Sequence, residues 1–113
     1  MIKLKSLITE QSSDYVYHVT PKRNLRTMIK HGIIPHQCEP PHVEPPFIFM
    51  FDKRETMEDA VMGWLGDKLG ETTPLVVLTV NAKGLDIQPA YEKFEVVSYK
   101  TIPWNRVVKV EDI

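Results

Sequence analysis

Basic side chains are concentrated in the first third of this 113-residue chain. His18 follows a run of aromatic and β-branched residues, and Lys22 and Arg23 come shortly after it. Residues 1–36 hold six basic and two acidic side chains, whereas residues 37–60 hold two basic and six acidic ones. The net charge of −1 gives no general attraction to a polyanion or an anionic membrane. This distribution favours a phosphate-bearing small ligand, with two ordinary solvated surfaces as the alternative.

A second group of residues has the side chains that bind zinc. It consists of His31, His36, Cys38 and His42. Their spacing matches no common zinc finger, and the rest of the chain supplies no second ligand pair. We therefore interpret them as exposed loop residues and expect no metal. Because Cys38 is the only cysteine, an internal disulfide is excluded and a reducing compartment is the simpler interpretation.

A strand and a helix are predicted to position His18 and the basic pair. Residues 15–19 alternate aromatic, β-branched and polar side chains, which predicts a strand with His18 near its end. Thr20 is predicted to cap the following helix, and Pro21 to occupy its first position, where no N–H is needed. Gly32 is predicted to end the helix in a left-handed conformation.

The remaining elements are predicted from apolar runs and capping residues. Apolar or β-branched segments that predict strands are residues 47–51, 74–80, 94–99 and 107–110. A second helix is predicted to begin after Asp52, with Glu55 in position for a capping box. Its buried stripe is predicted to consist of Met57, Val61, Trp64, Leu65 and Leu69. This order predicts one α+β domain over residues 14–113, with a split antiparallel or mixed sheet and two short helices.

Three short motifs follow one another along the chain. The first is His18-Val19-Thr20, followed by Asn24, Met28-Ile29 and Gly32-Ile33. The second is Ile-Phe-Met-Phe-Asp at residues 48–52, and the third is Phe94-Glu95-Val96-Val97, followed by Ile102-Pro103 and the segment 107–110. In this order they resemble the three motifs of the ADP-ribosyltransferase superfamily, in the His-Tyr-Glu branch that includes the poly-ADP-ribose polymerases. The resemblance spans residues 15–110 and implies an ADP-ribosyltransferase-like fold.

The resemblance also implies a reaction and a set of site residues. The reaction is the transfer of a single ADP-ribose from NAD to a protein or nucleic-acid acceptor. Departure of nicotinamide leaves positive charge on the ribose, which a carboxylate stabilises, and the resemblance assigns this role to Glu95. It assigns to His18 a bond to the adenosine-side ribose. The further NAD-binding residues implied are Val19, Thr20, Lys22, Arg23, Asn24 and Phe49. Phe49 would stack on the nicotinamide, and Lys22 and Arg23 would meet the pyrophosphate.

Three positions differ from the family motifs and leave alternatives open. Val19 replaces a glycine, Pro21 stands where the branch often has arginine, and Phe49 replaces a tyrosine. A catalytically silent fold that binds NAD or a related nucleotide is therefore one alternative. An RNA 2′-phosphotransferase-like enzyme is another, although it needs several cationic side chains around a phosphate. Lys93 stands where arginine-modifying toxins of the superfamily carry Glu or Gln, so arginine is the less favoured acceptor.

Residues 1–13 are predicted to form a leader or tail outside the domain. The first ten, which end in Ile8-Thr9-Glu10, resemble the capsid-targeting leader of internal proteins in T-even-like phages. This resemblance implies a phage-encoded protein that is packaged in the virion and acts in the host cytoplasm. A frayed or docked terminal helix is the alternative. No run of about 18 apolar residues occurs, so no membrane partner is expected.

Overall fold

The computed structural model describes residues 14–35, 46–63, 65, 74–90 and 94–113. They form a six-stranded sheet and two short α-helices, which confirms the predicted α+β class. The strands are β1 (Tyr15–Pro21), β2 (Ile48–Phe51), β3 (Leu75–Asn81), β4 (Gln88–Pro89), β5 (Glu95–Ser98) and β6 (Val107–Asp112). The helices are α1 (Leu25–His31) and α2 (Arg54–Met62), and 3-10 turns lie at Lys22–Asn24 and Trp104–Arg106.

The strand order in the sheet is β4-β5-β2-β1-β3-β6, and every neighbouring pair is antiparallel. The antiparallel form of the predicted sheet is therefore the correct one. β1 and β3 pair along their whole length, from Tyr15 opposite Asn81 to Pro21 opposite Leu75. β1 and β2, in contrast, share a single register pair, Tyr17 opposite Phe51. The sheet opens between β1 and β2 beyond this pair.

Apolar residues cover both faces of the sheet. One cluster, which we call the α1 face, contains Val16, Ile33, Ile48, Met50, Val76, Leu78, Val80, Ala82 and Ile102, with Leu25 and Met28 of α1 packed against it. The other, the α2 face, contains Val19, Phe51, Met57, Ala60, Leu65 and Val77. Fully burying one such side chain stabilises the fold by about 1.5–3 kcal/mol. The two clusters hold one helix on each side of the sheet.

The start of α1 differs from the prediction. Thr20 does not cap a helix, because it is a buried residue of β1, and Pro21 is the last residue of that strand and not the first of a helix. Among the described residues, no side chain provides a cap at Pro21 or Asn24. The reason is the pairing of β1 with β3, which continues as far as Pro21 opposite Leu75. The Lys22 N–H extends this pairing by donating to the carbonyl oxygen of Pro74, just before β3. Tertiary strand pairing therefore overrides a locally favourable capping residue.

The start of α2 also differs from the prediction. Lys53 occupies the capping position, and no side chain caps the helix, so the capping box of Asp52 and Glu55 is not formed. The Asp52 N–H instead donates to the Phe94 carbonyl oxygen, 2.9 Å away, which extends the pairing of β2 with β5 by one residue. Met57 and Leu65 of the predicted stripe are buried, whereas Trp64 and Leu69 lie outside the described residues. Among the described residues, no helix has the length and hydropathy needed to cross a membrane.

Gly32 ends α1 as predicted. Its φ of 83° and ψ of −177° form a combination that only glycine adopts readily. A Cβ atom at this position would lie 2.6 Å from the carbonyl oxygen of Ile102, which is far too close. The close approach exists because Ile33 and Ile102 exchange two backbone hydrogen bonds, of 2.8 and 2.9 Å. Gly32 thus permits the contact that fixes the end of α1.

Candidate functional site

His18 lies where β1 and β2 separate. Its side chain is buried, with 7 % exposed, and its Nδ1 atom lies 2.9 Å from the carbonyl oxygen of Phe49. Because a carbonyl oxygen can only accept, the hydrogen of this bond resides on Nδ1. In the neutral form of the ring, the Nε2 atom is then a hydrogen-bond acceptor. One imidazole thus spans the opening and carries a hydrogen on its Nδ1 atom.

A cavity of about 250 Å³ lies beside this opening. Its polar lining is provided by His18, Thr20 and Asn24, and its other lining residues are Val19, Pro21, Met28, Ile33, Ile34 and Ile48. The Asn24 Nδ2 atom donates to Thr20 Oγ1 at 3.1 Å. The Thr20 hydroxyl hydrogen and the Asn24 amide oxygen remain as further bonding groups. Apolar walls with a few polar groups are typical of ligand sites, whose volumes are about 300–1,000 Å³, so this cavity suits one part of a dinucleotide.

Four of the predicted NAD-binding residues meet at this cavity: His18, Val19, Thr20 and Asn24. His18 lies opposite Leu78 of the α1 face, whereas Val19 belongs to the α2 face. The cavity is therefore lined by residues from both faces of β1.

Lys22 and Arg23 do not line the cavity. The Lys22 ammonium group lies 3.1 Å from the carboxylate of Asp112 at the end of β6, and Arg23 is exposed. The helix that follows has seven residues, too few for a strong dipole at its N-terminus. The structure therefore does not bring the predicted pyrophosphate-binding pair to the cavity.

Phe49 contributes its backbone to the site and its ring to the core. Its carbonyl oxygen accepts the bond from His18. Its half-buried ring packs against the α2-face cluster, with its centroid 5.1 Å from that of Phe51 in an edge-to-face arrangement. Phe49 does not line the cavity, so the predicted stacking on nicotinamide requires a ligand that reaches the α2 face.

Glu95 is the first residue of β5 and lies opposite Phe51. Residues directly opposite one another in a sheet project from the same face, so Glu95 shares the α2 face with Phe51. His18 projects from the α1 face with Leu78, and β2 lies between their two strands. Glu95 does not line the cavity. The predicted pair of site residues therefore lies on two faces of the sheet, on either side of the opening.

The backbone just before Glu95 is strained. Phe94 has a φ of 69°, a conformation that is uncommon for any residue other than glycine and an outlier for a bulky one. The Lys53 ammonium group lies 5.0 Å from the centroid of the Phe94 ring. Nearby, the Oδ1 atom of Asp52 is buried and has no hydrogen-bond partner among the described residues. The sequence contains no signal for these features, because aromatic residues rarely adopt a positive φ and Asp52 resembles an ordinary helix cap.

An ion-pair network fixes α2 to the edge of the sheet. The Arg54 guanidinium donates two bonds to Glu111, of 2.8 and 3.2 Å, and one of 3.0 Å to Glu58. The bonds that Arg54 donates to Glu111 and then to Glu58 raise the pKa of Arg54 above its ordinary value, and the bonds from Arg54 lower the pKa of Glu111. Arg54 also lies 5.9 Å from the Tyr17 ring centroid. The network holds the helix that covers the Glu95 face.

Five apolar residues of the cavity were not assigned to the site from the sequence: Pro21, Met28, Ile33, Ile34 and Ile48. Ile34 is 51 % exposed, and Ile48 is buried in the α1 face. Each of these two isoleucines stands in a short apolar run, which in a sequence predicts a core residue. Such a run does not distinguish a core residue from one that lines a cavity.

Several predicted features lie outside the described residues. They are the leader 1–13, the possible zinc ligands His36, Cys38 and His42, and Lys93. Comparison of the chain with protein-family models and with curated protein sequences finds no match.

Proposed function

We propose that this protein is an NAD-dependent mono-ADP-ribosyltransferase that transfers ADP-ribose to a protein or nucleic-acid acceptor. The observation that carries the proposal is the cavity beside the open sheet. It is lined by the residues of the first motif, His18, Val19, Thr20 and Asn24, which the family resemblance implied as NAD contacts.

The cavity chemistry suits a ribose and an attached ring. The His18 ring carries a hydrogen on Nδ1, which it donates to the Phe49 carbonyl oxygen, and in its neutral form it would accept a hydrogen bond from a ribose hydroxyl at Nε2. The Asn24 amide oxygen would accept a second one. Ile33 and Ile48 provide apolar walls for a heterocycle. Binding the adenosine-side ribose in this way would hold NAD in place for the reaction at its nicotinamide end.

The carboxylate of Glu95 would act on the opposite side of the opening. As nicotinamide leaves with the bonding electron pair, positive charge develops on the ribose, and a nearby carboxylate lowers the energy of that state. The acceptor nucleophile then forms the new bond to the same carbon and loses its proton. For this role the NAD molecule must extend through the opening, from the His18 side to the α2 face.

A catalytically silent nucleotide-binding protein is the second candidate. It is favoured by the position of Glu95, which projects from the other face and does not line the cavity. The RNA 2′-phosphotransferase-like alternative has less support. It needs several cations around a phosphate, and among the described cavity residues only His18 can become positively charged.

Nicotinamide release from labelled NAD tests the proposal. We expect turnover by the wild-type protein and a loss of about 100-fold or more in Glu95→Gln. Glu55→Gln, which alters an exposed carboxylate in the first turn of α2, is the matched control and should behave as wild type. Calorimetric binding of NAD without turnover supports the silent protein, and absence of NAD binding refutes both candidates.

The acceptor is identified in the same experiment by adding host lysate. Label that resists nuclease and is released by protease indicates a protein acceptor, and the reverse pattern indicates nucleic acid. Packaging through residues 1–13 is a separate proposal, which predicts that the protein in mature particles begins after Glu10. An intact Met1 in such particles would contradict it.

A further inference from the structure

Two unfavourable features meet where β5 begins. Phe94 holds a positive φ of 69°, and the buried Oδ1 atom of Asp52 has no hydrogen-bond partner in the part of the chain that the structure describes. Both residues flank the register pair of Phe51 with Glu95. Strained backbone and unsatisfied buried polar atoms persist only where the surrounding structure enforces them, and they concentrate at functional sites.

Contacts from the start of α2 hold Phe94 in this conformation. The Asp52 N–H donates to the Phe94 carbonyl oxygen at 2.9 Å, and the Lys53 ammonium group lies 5.0 Å from the centre of its ring. Backbone and side chain of residue 94 are thus both attached to the two residues that precede α2. On the other side of β5, the Ala90 N–H donates to the Glu95 carbonyl oxygen at 2.8 Å.

The backbone conformation of residue 94 determines where β5 starts. A change from a positive to a negative φ would redirect the Phe94 carbonyl away from the Asp52 N–H and displace the Phe51–Glu95 pair. The displacement would move the Cα–Cβ direction of Glu95, the residue that carries the carboxylate of the proposed reaction.

We infer that Phe94 is a positioning residue, whose left-handed backbone, held by Asp52 and Lys53, fixes the start of β5 and with it the position of the Glu95 carboxylate on the α2 face. This inference rests on the proposed function. Phe94 itself need not touch NAD, so its substitution affects the chemical step more than substrate binding.

A pair of substitutions separates backbone conformation from the aromatic ring. Asparagine tolerates a positive φ, whereas β-branched valine does not. We expect Phe94→Asn to keep the kcat for nicotinamide release within about three-fold of wild type. Phe94→Val should lower kcat by about ten-fold or more, with the KM for NAD within about two-fold. Both are measured below the midpoint of thermal unfolding, which is recorded for each variant.

Gly84→Ala provides a matched control for backbone strain. Gly84 also has a positive φ, of 80°, and lies in the turn after β3, and an added Cβ atom there would make only an ordinary contact with Arg106. We expect Gly84→Ala to lower the unfolding midpoint without changing kcat. If Phe94→Val does not fold, Phe94→Ala tests the same point with a smaller side chain and should lower kcat relative to Phe94→Asn.

Three outcomes overturn the inference. If the wild type is active and Phe94→Val has the same kcat, the positioning role of Phe94 is overturned and the proposed function is not. The same conclusion follows if Phe94→Asn loses as much activity as Phe94→Val. A wild-type protein that releases no nicotinamide overturns the proposed function and this inference together.

Discussion

The Nδ1 atom of His18 donates a hydrogen bond to the carbonyl oxygen of Phe49, 2.9 Å away, and this bond joins two strands whose backbones share one register pair. A single buried side chain thus closes part of the gap in the sheet and forms one wall of the adjacent cavity. His18 therefore has a structural role and a proposed binding role, and the two can be measured separately.

Replacing His18 should destabilise the fold. His18→Ala removes the bond to Phe49 and leaves a buried carbonyl oxygen without that partner, which should lower the free energy of unfolding by about 1–3 kcal/mol. Urea unfolding followed by circular dichroism measures the change. His31→Ala is the control, because His31 is exposed at the end of α1 and its loss should cost less than about 0.5 kcal/mol. Equal stability of the two variants would contradict the bridging role.

The Thr20 hydroxyl in the cavity can be removed while the volume of the side chain stays nearly constant. Thr20→Val deletes the acceptor for Asn24 and a bonding group for the ligand, so we expect the Kd for NAD to rise about five- to ten-fold. Isothermal titration calorimetry measures this affinity. Thr27→Val, on the exposed side of α1, should leave the Kd unchanged. If both variants bind NAD as wild type does, the ligand does not occupy this cavity.

Gly32→Ala should be more destabilising than Gly84→Ala. Both positions have positive φ, but only at Gly32 would the new Cβ atom lie 2.6 Å from a backbone oxygen, that of Ile102. We expect Gly84→Ala to lower the free energy of unfolding by about 1 kcal/mol. Gly32→Ala should lower it clearly more, because the contact between α1 and the segment before β6 must also shift. Chemical denaturation of both variants provides the measurement, and equal costs would contradict the close approach at Ile102.

The pairing of Arg54 with Glu111 predicts a pH-dependent contribution to stability. Because Arg54 lowers the pKa of Glu111 in the folded state, this contribution is present above the pKa of the unfolded chain. It is lost as the pH falls through the lower pKa of the folded state. Arg54 and Glu111 are 41 % and 24 % exposed, so solvent screening limits the pair to about 0.5–1 kcal/mol.

Glu111→Gln tests this contribution. The variant should be less stable than wild type at pH 7, and the difference should vanish at acidic pH, once Glu111 of the wild type is protonated. Glu55→Gln serves as the control and should show a smaller effect at pH 7. A difference between Glu111→Gln and wild type that persisted unchanged at acidic pH would indicate lost packing in place of lost charge pairing.

Local sequence patterns determined much of the fold. The alternation in residues 15–19, the β-branched run that became β3 and the glycine at position 32 each predict a conformation from neighbouring residues alone. These predictions were confirmed because the interactions that decide them act within a few residues along the chain. The capping predictions at Thr20 and Asp52 were wrong, since pairing with distant strands competes for the same backbone groups.

The sequence by itself determined an α+β chain in which His18 lies in one strand and Glu95 begins another. It placed His18 near the end of its strand, whereas β1 continues to Pro21. Only the tertiary structure decided that the two residues project from opposite faces, that Lys22 pairs with Asp112, and that Phe94 takes a positive φ. Strand order and register decide these facts, and both depend on contacts between residues more than 30 positions apart, such as His18 with Phe49, which are 31 positions apart. Local propensity carries no information about such contacts, because the energy that selects them comes from burial of the two apolar faces as a whole.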